Sequence, residues 1–472
     1  MAKAATTTVS GALEAAAEHQ AAGRLDDAEQ LCDAVLAALP EHAEALHRRG
    51  VLAFQRGALG HAADLVRRAI AADTNSPEPS NSLGNILHAG GDYAGAIECY
   101  RISLSLGPDD PVTLINLGVA LYGAGGRADA KEALRGGLTV LPEHAQAHAA
   151  LAVIALDDGE DNDAVTQLRA SAFLHPRFGY GASCVLGDDL DAYTDVSGID
   201  ELLAAAPALE GEMPASSRTS PVVVTTCDHR YFRRFARSLA ASLDANSPGH
   251  DLHIHVFNPE PEFASEFDAL KASLANTTIT SSREVALGAD PVYFSNMRLV
   301  RLHQIMRAGG RGLISLDADS LVRAPLDDIG GASGTMSGAA PGAADLSVTL
   351  RPDRAEIGHK ILATTLVLRD TEAVRDYLAR VACYVLNCFH EDRLVWYLDQ
   401  CVLYLVHRMM DRAGVAPTLA PLPPAYADTT FAPDSPIWAA KGERKTAPAF
   451  ITEAVSYAIP IMRPSRADRR TS

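Results

Sequence analysis

Two carboxylates stand one residue apart directly after an apolar run near the middle of the chain. The run GLISL ends at Leu316, and Asp317 and Asp319 follow it in the segment LDADS. In an extended segment, residues i and i+2 project to the same side, so both carboxylates can face one ligand. Mg²⁺ and Mn²⁺ prefer such oxygen ligands and commonly bind substrate phosphates as well. The pattern therefore predicts that Asp317 and Asp319 hold a divalent cation against a diphosphate.

The segments around these aspartates alternate between strand and helix patterns. PVVVTTC (221–227) is apolar and β-branched, DLHIHVFN (251–258) alternates as a strand does, and 312–322 reads as a further strand. Helical patterns at 231–245 and 296–308 lie between them. This order predicts an α/β domain with a largely parallel, doubly wound, Rossmann-like sheet, which binds ligands at the carboxyl ends of its strands.

The amino-terminal part of the chain repeats every 34 residues. Glycines recur at this spacing, each followed five residues later by an alanine: Gly23, Gly57, Gly91, Gly125 and Gly159, with Ala28, Ala62, Ala96, Ala130 and Ala164. Prolines share the lattice at Pro40, Pro108, Pro142 and Pro176. Small residues at helix crossings, a glycine at the turn and a proline at the end describe a helical hairpin. Residues 9–176 resemble about five tetratricopeptide repeats, which form an all-α solenoid.

An array of this kind usually binds a peptide or another protein, and we expect a protein partner here. The alternative is an array that only spaces or dimerises the rest of the protein. The sequence does not separate these two roles.

Composition excludes several classes of function. The chain has 472 residues and a formal charge of -18, from 41 Lys and Arg against 59 Asp and Glu, which argues against coating of nucleic acid or anionic membrane. We expect no secretory signal, because the amino terminus lacks a basic start, an apolar middle and a small-residue cleavage site. We expect no transmembrane segment, because no apolar run approaches the roughly 20 residues that span a bilayer. The seven cysteines contain no Cys-x-x-Cys and indicate reduced thiols in a cytoplasmic protein.

Composition also suggests the boundaries of the domains. The repeats end near residue 176, and 177–218 is interpreted as a connecting segment and linker, rich in Pro, Ser and Gly towards its end. The α/β domain then spans 219–461, and 462–472 form a polar tail. The Gly- and Ala-rich stretch 330–344 is interpreted as a loop.

The segment SLDADSLVRAPLDDI resembles the metal-binding segment of GT-A glycosyltransferases, above all the glycogenin and lipopolysaccharide galactosyltransferase group. The resemblance runs from about 219 to 461. Residues 222–243 resemble the first strand and helix of the nucleotide-binding half. The resemblance implies contacts to the base and ribose from Thr225, Thr226, Cys227 and Asp228, with Tyr231 nearby. In the helix before the acidic segment, Arg298 matches a basic residue that faces the donor.

Three later segments continue the resemblance. It implies that Thr364 and Thr365 contact the donor sugar, and that Asp399 and Gln400 lie near the sugar or acceptor. IWAAKGERKTAPAF (437–450) resembles a Gly-x-x-Lys motif that covers the diphosphate, with matches at Lys441, Gly442 and Lys445.

One position departs from the family. A histidine before the final lysine motif completes the metal site in the relatives, whereas this chain has Ala439 and Ala440 there. His359 and His390 are alternatives, and the third metal ligand stays open.

Several candidates also have a structural interpretation. Asp399 is a favoured type of helix N-cap residue, and Arg301 and Arg307 compete with Arg298 for a phosphate. Cys227 has no histidine partner that would make it a nucleophile. His253 and His255 have a structural role in this interpretation, and Tyr231 belongs to the core. Lys441 and Lys445 belong to a solvated turn.

We therefore expect a metal-dependent glycosyltransferase of the hexosyltransferase type that uses Mn²⁺ or Mg²⁺. The resemblance implies that its donor is a UDP-sugar. The resemblance implies retention of configuration. The acceptor is an unknown glycan or protein. One alternative is a non-catalytic repeat scaffold with a degenerate transferase domain. Another is a nucleotidyltransferase, which we would expect to carry a glycine-rich phosphate loop after the first strand, and TTCDHRYF has no glycine.

Overall fold

The computed structural model describes most of the chain, in the ranges 2–174, 188–214, 219–274, 276–283, 291–327, 329, 344–354, 357, 360–391, 393–394 and 397–457. The chain forms two compact units. The first comprises Met1–Phe178 with Pro352–Glu356, and the second comprises Gly179–Arg351 with Ile357–Ser472. The predicted loop 330–344 and His359 lie outside the described residues, apart from position 344. Within the described ranges, no helix combines the length and apolar character needed to cross a membrane.

The first unit consists of consecutive helices joined by short turns. Its helices are α1 (Ala2–Ala21), α2 (Leu25–Ala38), α3 (Ala43–Gln55), α4 (Leu59–Ala72), α5 (Pro77–Ala89), α6 (Tyr93–Leu106), α7 (Pro111–Gly123), α8 (Arg127–Val140), α9 (Ala145–Asp158) and α10 (Asp161–Leu174). Each odd-numbered helix pairs with the next, and the pairs stack along the chain. This is the helical solenoid predicted from the 34-residue period.

Glycine makes both the turns and the close crossings of these helical pairs. All five glycines of the period adopt a left-handed φ, between 74° at Gly23 and 87° at Gly125. A second glycine lies within the first helix of three repeats, where the neighbouring helix approaches closely. A Cβ on Gly84 would lie 2.5 Å from the ring of Tyr100, and one on Gly118 would lie 2.6 Å from Leu134. At these helix crossings, therefore, a side chain larger than the hydrogen atom of glycine does not fit.

The second unit mixes helices with strands. Its helices are α11 (Asp188–Tyr193), α12 (Ile199–Ala205), α13 (His229–Tyr231), α14 (Arg237–Asn246), α15 (Phe263–Ser273), α16 (Pro291–Gly309), α17 (Glu372–His390), α18 (Leu398–Arg412) and α19 (Pro448–Ser456). Its strands are β1 (Glu210–Gly211), β2 (Val222–Asp228), β3 (Asp251–Phe257), β4 (Thr277–Ser282), β5 (Leu313–Leu316), β6 (Ser320–Val322), β7 (Leu346–Leu350), β8 (Ile361–Leu368), β9 (Leu419–Pro421) and β10 (Ile437–Ala439).

Eight of these strands form one sheet in the order β1-β4-β3-β2-β5-β8-β7-β9. The central strands β4, β3, β2 and β5 are parallel, as predicted, and β8 joins β5 antiparallel. The stretch 177–218, interpreted as a connecting segment, contributes α11, α12 and the edge strand β1, which pairs with β4. A second, two-stranded sheet joins β10 to β6.

Helices cover both faces of the large sheet, as the near-continuous apolar strands require. On one face, α16, α17 and α18 pack on side chains such as Val222, Val224 and Leu313. On the other face, α14 and α15 pack on Val223 and Ile254. Since the sheet is buried on both faces, its accessible ligand-binding edge is the one where the strands end.

Candidate functional site

The candidate site lies where two adjacent parallel strands end. β2 and β5 are neighbours, and the strand order reverses between them because β3 and β4 lie on the other side of β2. Open α/β sheets bind ligands in the crevice at such a reversal, outside the carboxyl ends of the strands. Asp228 ends β2, and Asp317 directly follows β5. Asp317 and Asp319, the pair predicted from the sequence, therefore follow β5 at the edge of the sheet where a ligand is expected.

Two cations from distant parts of the chain bind Asp317. Arg298, on α16, donates from Nη1 to Oδ1 of Asp317 at 2.5 Å, and Lys441 donates from Nζ to Oδ2. The backbone N–H of Asp317 donates to the carbonyl of Thr364 on β8 at 3.2 Å, which fixes the residue against the sheet. Both carboxylate oxygens of Asp317 thus accept from positive charges that the protein itself supplies.

Arg298 also binds the third carboxylate of the site. Its Nη2 donates to Oδ2 of Asp399 at 2.8 Å, so one guanidinium bridges Asp317 and Asp399. Asp399 lies in the first turn of α18, where the helix dipole favours a negative charge. It is the second residue of that helix, and the N-cap position belongs to Tyr397 instead. Tyr397 has a left-handed φ of 65°, a conformation that costs energy for a bulky residue.

The other two arginines of α16 have partners elsewhere. Arg301 is fully buried and donates to the carbonyl of Pro207 at 3.1 Å, while Arg307 pairs with Asp200 at 2.6 Å. Arg298 is therefore the arginine of α16 that joins the aspartates.

Asp319 pairs with the second lysine of the final motif. Lys445 lies with its Nζ 2.8 Å from Oδ2 of Asp319 and also donates to the hydroxyl of Tyr231 at 2.6 Å. The same ammonium lies 4.7 Å from the centre of the Tyr231 ring, a distance that allows a cation–π attraction. Tyr231 is 36% exposed, so it is a surface residue beside the lysine and not a core residue.

The small sheet delivers both lysines. β10 runs antiparallel to β6 with Ala439 opposite Ser320, and the N–H of Ala440 donates to the carbonyl of Asp319 at 3.0 Å. Lys441 follows at once, and Lys445 lies four residues on in a 3₁₀ helix (Gly442–Thr446). Ala439 and Ala440, considered in the sequence analysis as the position of a third metal ligand, are fully buried and contribute only packing.

Burial and ion pairing set the pKa values of the three carboxyl groups in different directions. Burial raises the pKa of Asp317, but the Lys441 ammonium and the Arg298 guanidinium outweigh burial and hold that pKa below its usual value. Burial, and then the charge of Asp317, raise the pKa of Asp319. Burial likewise raises the pKa of Asp399, although Arg298 opposes this shift. The site therefore combines one firmly ionised carboxylate with two that hold a proton more readily.

Two threonines predicted as donor contacts have buried hydroxyl groups without a partner among the described residues. Thr225 and Thr364 are each 1% exposed, and neither Oγ1 makes a hydrogen bond. Thr364 lies opposite Asp317 across the β5–β8 pair, so both side chains belong to the same face of the sheet. A buried hydroxyl without a partner costs free energy unless a ligand or a water satisfies it. Ser315, which the sequence analysis missed, has the same property on the same face of β5.

The remaining predicted residues have structural partners. Thr365 donates to the carbonyl of Tyr426 at 2.7 Å, and Asp228 accepts from the backbone N–H of Tyr231 at 2.7 Å as the cap of α13. The buried Cys227 thiol has a pKa raised by burial, which makes it a poor nucleophile. Thr226 is half-buried at the end of β2, and Gln400 donates its N–H to Oδ1 of Asp399 at 3.0 Å.

The two strand histidines form a hydrogen-bonded ladder with side chains of the neighbouring strand β4. His253 bonds to Thr278 and Thr280 at 2.9 and 3.0 Å, and His255 bonds to Thr280 and Ser282 at 2.9 and 3.0 Å. Their ring nitrogens are used in pairing β3 with β4, which supports the structural interpretation.

A divalent cation does not fit the carboxylates as they are arranged. Among the residues that the structure describes, no three His, Cys, Asp or Glu side chains converge on a point that could hold a metal ion. Both oxygens of Asp317 and one of Asp319 accept from lysine or arginine. His390, one alternative third ligand, is the last residue of α17.

Two family models match the first unit. The model described as "TPR repeat" matches residues 84–125, and the one described as "Tetratricopeptide repeat" matches 13–77 and 115–177. The amino-terminal unit therefore consists of tetratricopeptide repeats, as predicted. The matched residues end at 177, before the sheet begins.

Solved structures and curated proteins add little beyond the repeats. "Crystal structure of MamA" is 20% identical, covers 34% of this chain and 95% of that chain, and has a TM-score of 0.31. "Crystal structure of YrrB: a TPR protein with an unusual peptide-binding site" is 18% identical, covers 35% of this chain and 85% of that chain, and has a TM-score of 0.31. No curated protein matches the sequence.

Proposed function

We propose that the second unit is a GT-A-like glycosyltransferase domain that transfers a sugar from a nucleotide-diphosphate donor, with UDP as the nucleotide. One observation carries this proposal. Residues from five separate segments, picked out in advance by the family resemblance, meet at the strand ends of a doubly wound sheet: Tyr231, Arg298, Asp317 with Asp319, Asp399, and Lys441 with Lys445. Accidental similarity in separate segments gives no reason for their side chains to meet.

The roles follow from the chemistry of each group. Lys441 and Lys445 supply N–H donors and positive charge to the diphosphate, which becomes more negative as the sugar departs. Tyr231 lies beside Lys445 at the outer edge and offers an aromatic face to the base. Thr364 lies on the same face of the sheet as Asp317 and supplies a hydroxyl that has no partner among the described residues. Asp399 has a raised pKa and lies inside the site, where it serves as the group nearest the reacting sugar or acceptor hydroxyl.

The tetratricopeptide array recruits a protein partner or the acceptor in this proposal. Polar side chains bond to one another from repeat to repeat on the first helices of the pairs. His47 bonds to Ser82 at 2.8 Å, and Asn116 donates to Asn81 at 3.3 Å. These half-buried groups form a row suited to hydrogen bonding with a peptide backbone.

A non-catalytic scaffold is the second candidate, and the same network favours it in one respect. Arg298 binds Asp317 and Asp399 at once, which leaves both carboxylates paired within the protein. In a scaffold this network serves only stability, and nucleotide does not bind.

Calorimetric titration of the full chain with UDP separates these candidates, followed by measurement of UDP release from a panel of UDP-hexoses. We expect UDP to bind, and a Lys445→Met variant to bind it at least 10-fold more weakly, as loss of a charge-assisted hydrogen bond requires. Lys271→Met is the matched control, because Lys271 pairs with a carboxylate on the surface at 2.7 Å, far from these aspartates in the sequence. Failure of UDP and other nucleotides to bind the intact chain would leave the scaffold as the function.

A further inference from the structure

We propose that this site binds the diphosphate of its donor without a divalent cation, because the ammonium groups of Lys441 and Lys445 occupy the place of the metal on Asp317 and Asp319. This inference rests on the proposed function and specifies how the donor is recognised. It opposes the Mn²⁺ or Mg²⁺ dependence that the sequence predicts.

The charges of the site already balance. Three carboxylates, of Asp317, Asp319 and Asp399, face three cations, of Arg298, Lys441 and Lys445. A pair of strand-end aspartates without cationic partners would need a metal ion for neutrality. Here each aspartate has an ion pair from the chain, so that need is met before any ligand arrives.

The position of Lys441 matches the loss of the third ligand. The family resemblance puts a histidine near Ala439, and alanine carries no group that can bind a metal. Two residues later Lys441 leaves β10, and its ammonium contacts Asp317 itself. A cation that is part of the chain thus contacts Asp317, and the register of β10 on β6 fixes it there.

The two ammonium groups can bind a ligand while they hold the aspartates. An ammonium has three N–H donors, and Lys441 uses one on Asp317. The Lys441 side chain is 45% exposed and that of Lys445 is 21% exposed, whereas those of Asp317 and Asp319 are 13% and 6% exposed. The lysines therefore form the solvent-facing layer of the site, and an anion that enters meets ammonium groups before carboxylates. The partnerless hydroxyl of Thr364 adds a donor beside them.

A divalent ion would have to displace these lysines. Asp317 has no oxygen without a cationic partner, and a metal beside Asp319 would lie next to the Lys445 ammonium. The positive charges of the metal ion and of the adjacent ammonium would repel each other strongly in this buried setting. Entry of the metal therefore breaks two ion pairs, that of Lys441 with Asp317 and that of Lys445 with Asp319.

The test is calorimetric titration of the full chain with UDP, once in EDTA and once in Mn²⁺, together with Lys441→Met and Asp319→Asn variants. We expect the two dissociation constants of the natural sequence to agree within about 2-fold and Lys441→Met to weaken binding about 10- to 100-fold, as for a hydrogen bond to a charged group. Asp319→Asn keeps UDP binding or tightens it, because the Lys445 ammonium loses a competing anion. In a metal-based site the same variant loses binding.

The outcomes separate the two proposals. UDP binding that needs Mn²⁺ and disappears in Asp319→Asn overturns the metal-free site and leaves the glycosyltransferase proposal intact. Metal-independent binding that Lys441→Met leaves unchanged also overturns the inference. Absence of UDP binding in both buffers overturns both proposals. The comparison of EDTA with Mn²⁺ uses the natural sequence, so it tests the metal dependence of UDP binding even when a variant fails to fold.

Discussion

Removal of the bridging guanidinium is expected to destabilise the second unit strongly. Arg298 makes two charged hydrogen bonds, at 2.5 Å to Asp317 and 2.8 Å to Asp399, and the three side chains are only 9%, 13% and 9% exposed. Loss of one partner of a buried ion pair costs about 3–5 kcal/mol, because a charge is left buried without compensation. In Arg298→Met, Asp317 keeps Lys441, so Asp399 alone is left. We therefore expect a loss of about 4 kcal/mol at neutral pH, not twice that.

Protonation of Asp399 limits this loss. Burial already raises the pKa of Asp399, and the positive charge of Arg298 opposes this shift. In Arg298→Met that charge is absent, so the pKa rises further. Each unit of that rise corresponds to about 1.36 kcal/mol of differential stability. The folded variant then binds a proton that the unfolded chain lacks, so the loss shrinks as the pH falls from 7 towards 5.

Urea unfolding followed by tryptophan fluorescence measures the effect in the right part of the molecule. Trp438, one of the two tryptophans of the chain, belongs to the second unit, so its fluorescence reports the unfolding of that unit. A double variant, Arg298→Met with Asp399→Asn, removes the charge left behind and should recover at least about 1 kcal/mol. A loss below about 1 kcal/mol in the single variant, the size expected of a surface ion pair, would refute the reasoning.

Three further predictions concern other parts of the chain. Gly84→Leu should destabilise the repeats by about 1–3 kcal/mol, seen as a lower midpoint of the helical CD transition, because its Cβ meets the ring of Tyr100; an unchanged midpoint would contradict the close crossing. The second unit should lose stability as the pH falls below 6.5, because burial lowers the pKa of His253 from 6.5 to about 3 and the unfolded chain takes up the proton first; His253→Gln should flatten that slope by up to about 1.4 kcal/mol per pH unit in urea unfolding. Tyr231→Phe should weaken UDP binding only slightly, because the ring that faces the Lys445 ammonium stays; a large loss would place the hydroxyl in the binding site.

Local patterns in the sequence predicted most of the fold. The 34-residue period predicted the repeats because Gly23 and its counterparts meet a local requirement, a left-handed φ at a turn that recurs in each repeat. Alternation of apolar runs predicted the central parallel strands, since period and length are properties of one segment. The edge strand β1 escaped prediction because its two residues carry no periodicity and pair through Glu210 and Gly211 alone.

The partners of the site residues were harder to predict than the residues themselves. Asp317 and Asp319 stood out by their place after a buried strand. The bridge from Arg298 to Asp399 spans 101 residues, and three arginines of one helix offered the same local signal. The ion pair of Lys441 with Asp317 spans 124 residues and depends on the register of β10 on β6, which no short segment encodes.

The pairing of β10 with β6 has a consequence for the order of events during synthesis. Asp317 leaves the ribosome 124 residues before the lysine that neutralises its second oxygen. At a synthesis rate of about 5–20 residues per second, roughly 6–25 s pass before Lys441 is added. During this time only one oxygen of the Asp317 carboxylate has a cationic partner available. Until the segment around Lys441 and Lys445 emerges, burial of the aspartates is unfavourable, so this edge of the sheet should close last. Assembly of the candidate site is thereby linked to completion of the domain, and a ribosome that stalls before residue 437 leaves a chain with an open, acidic strand end.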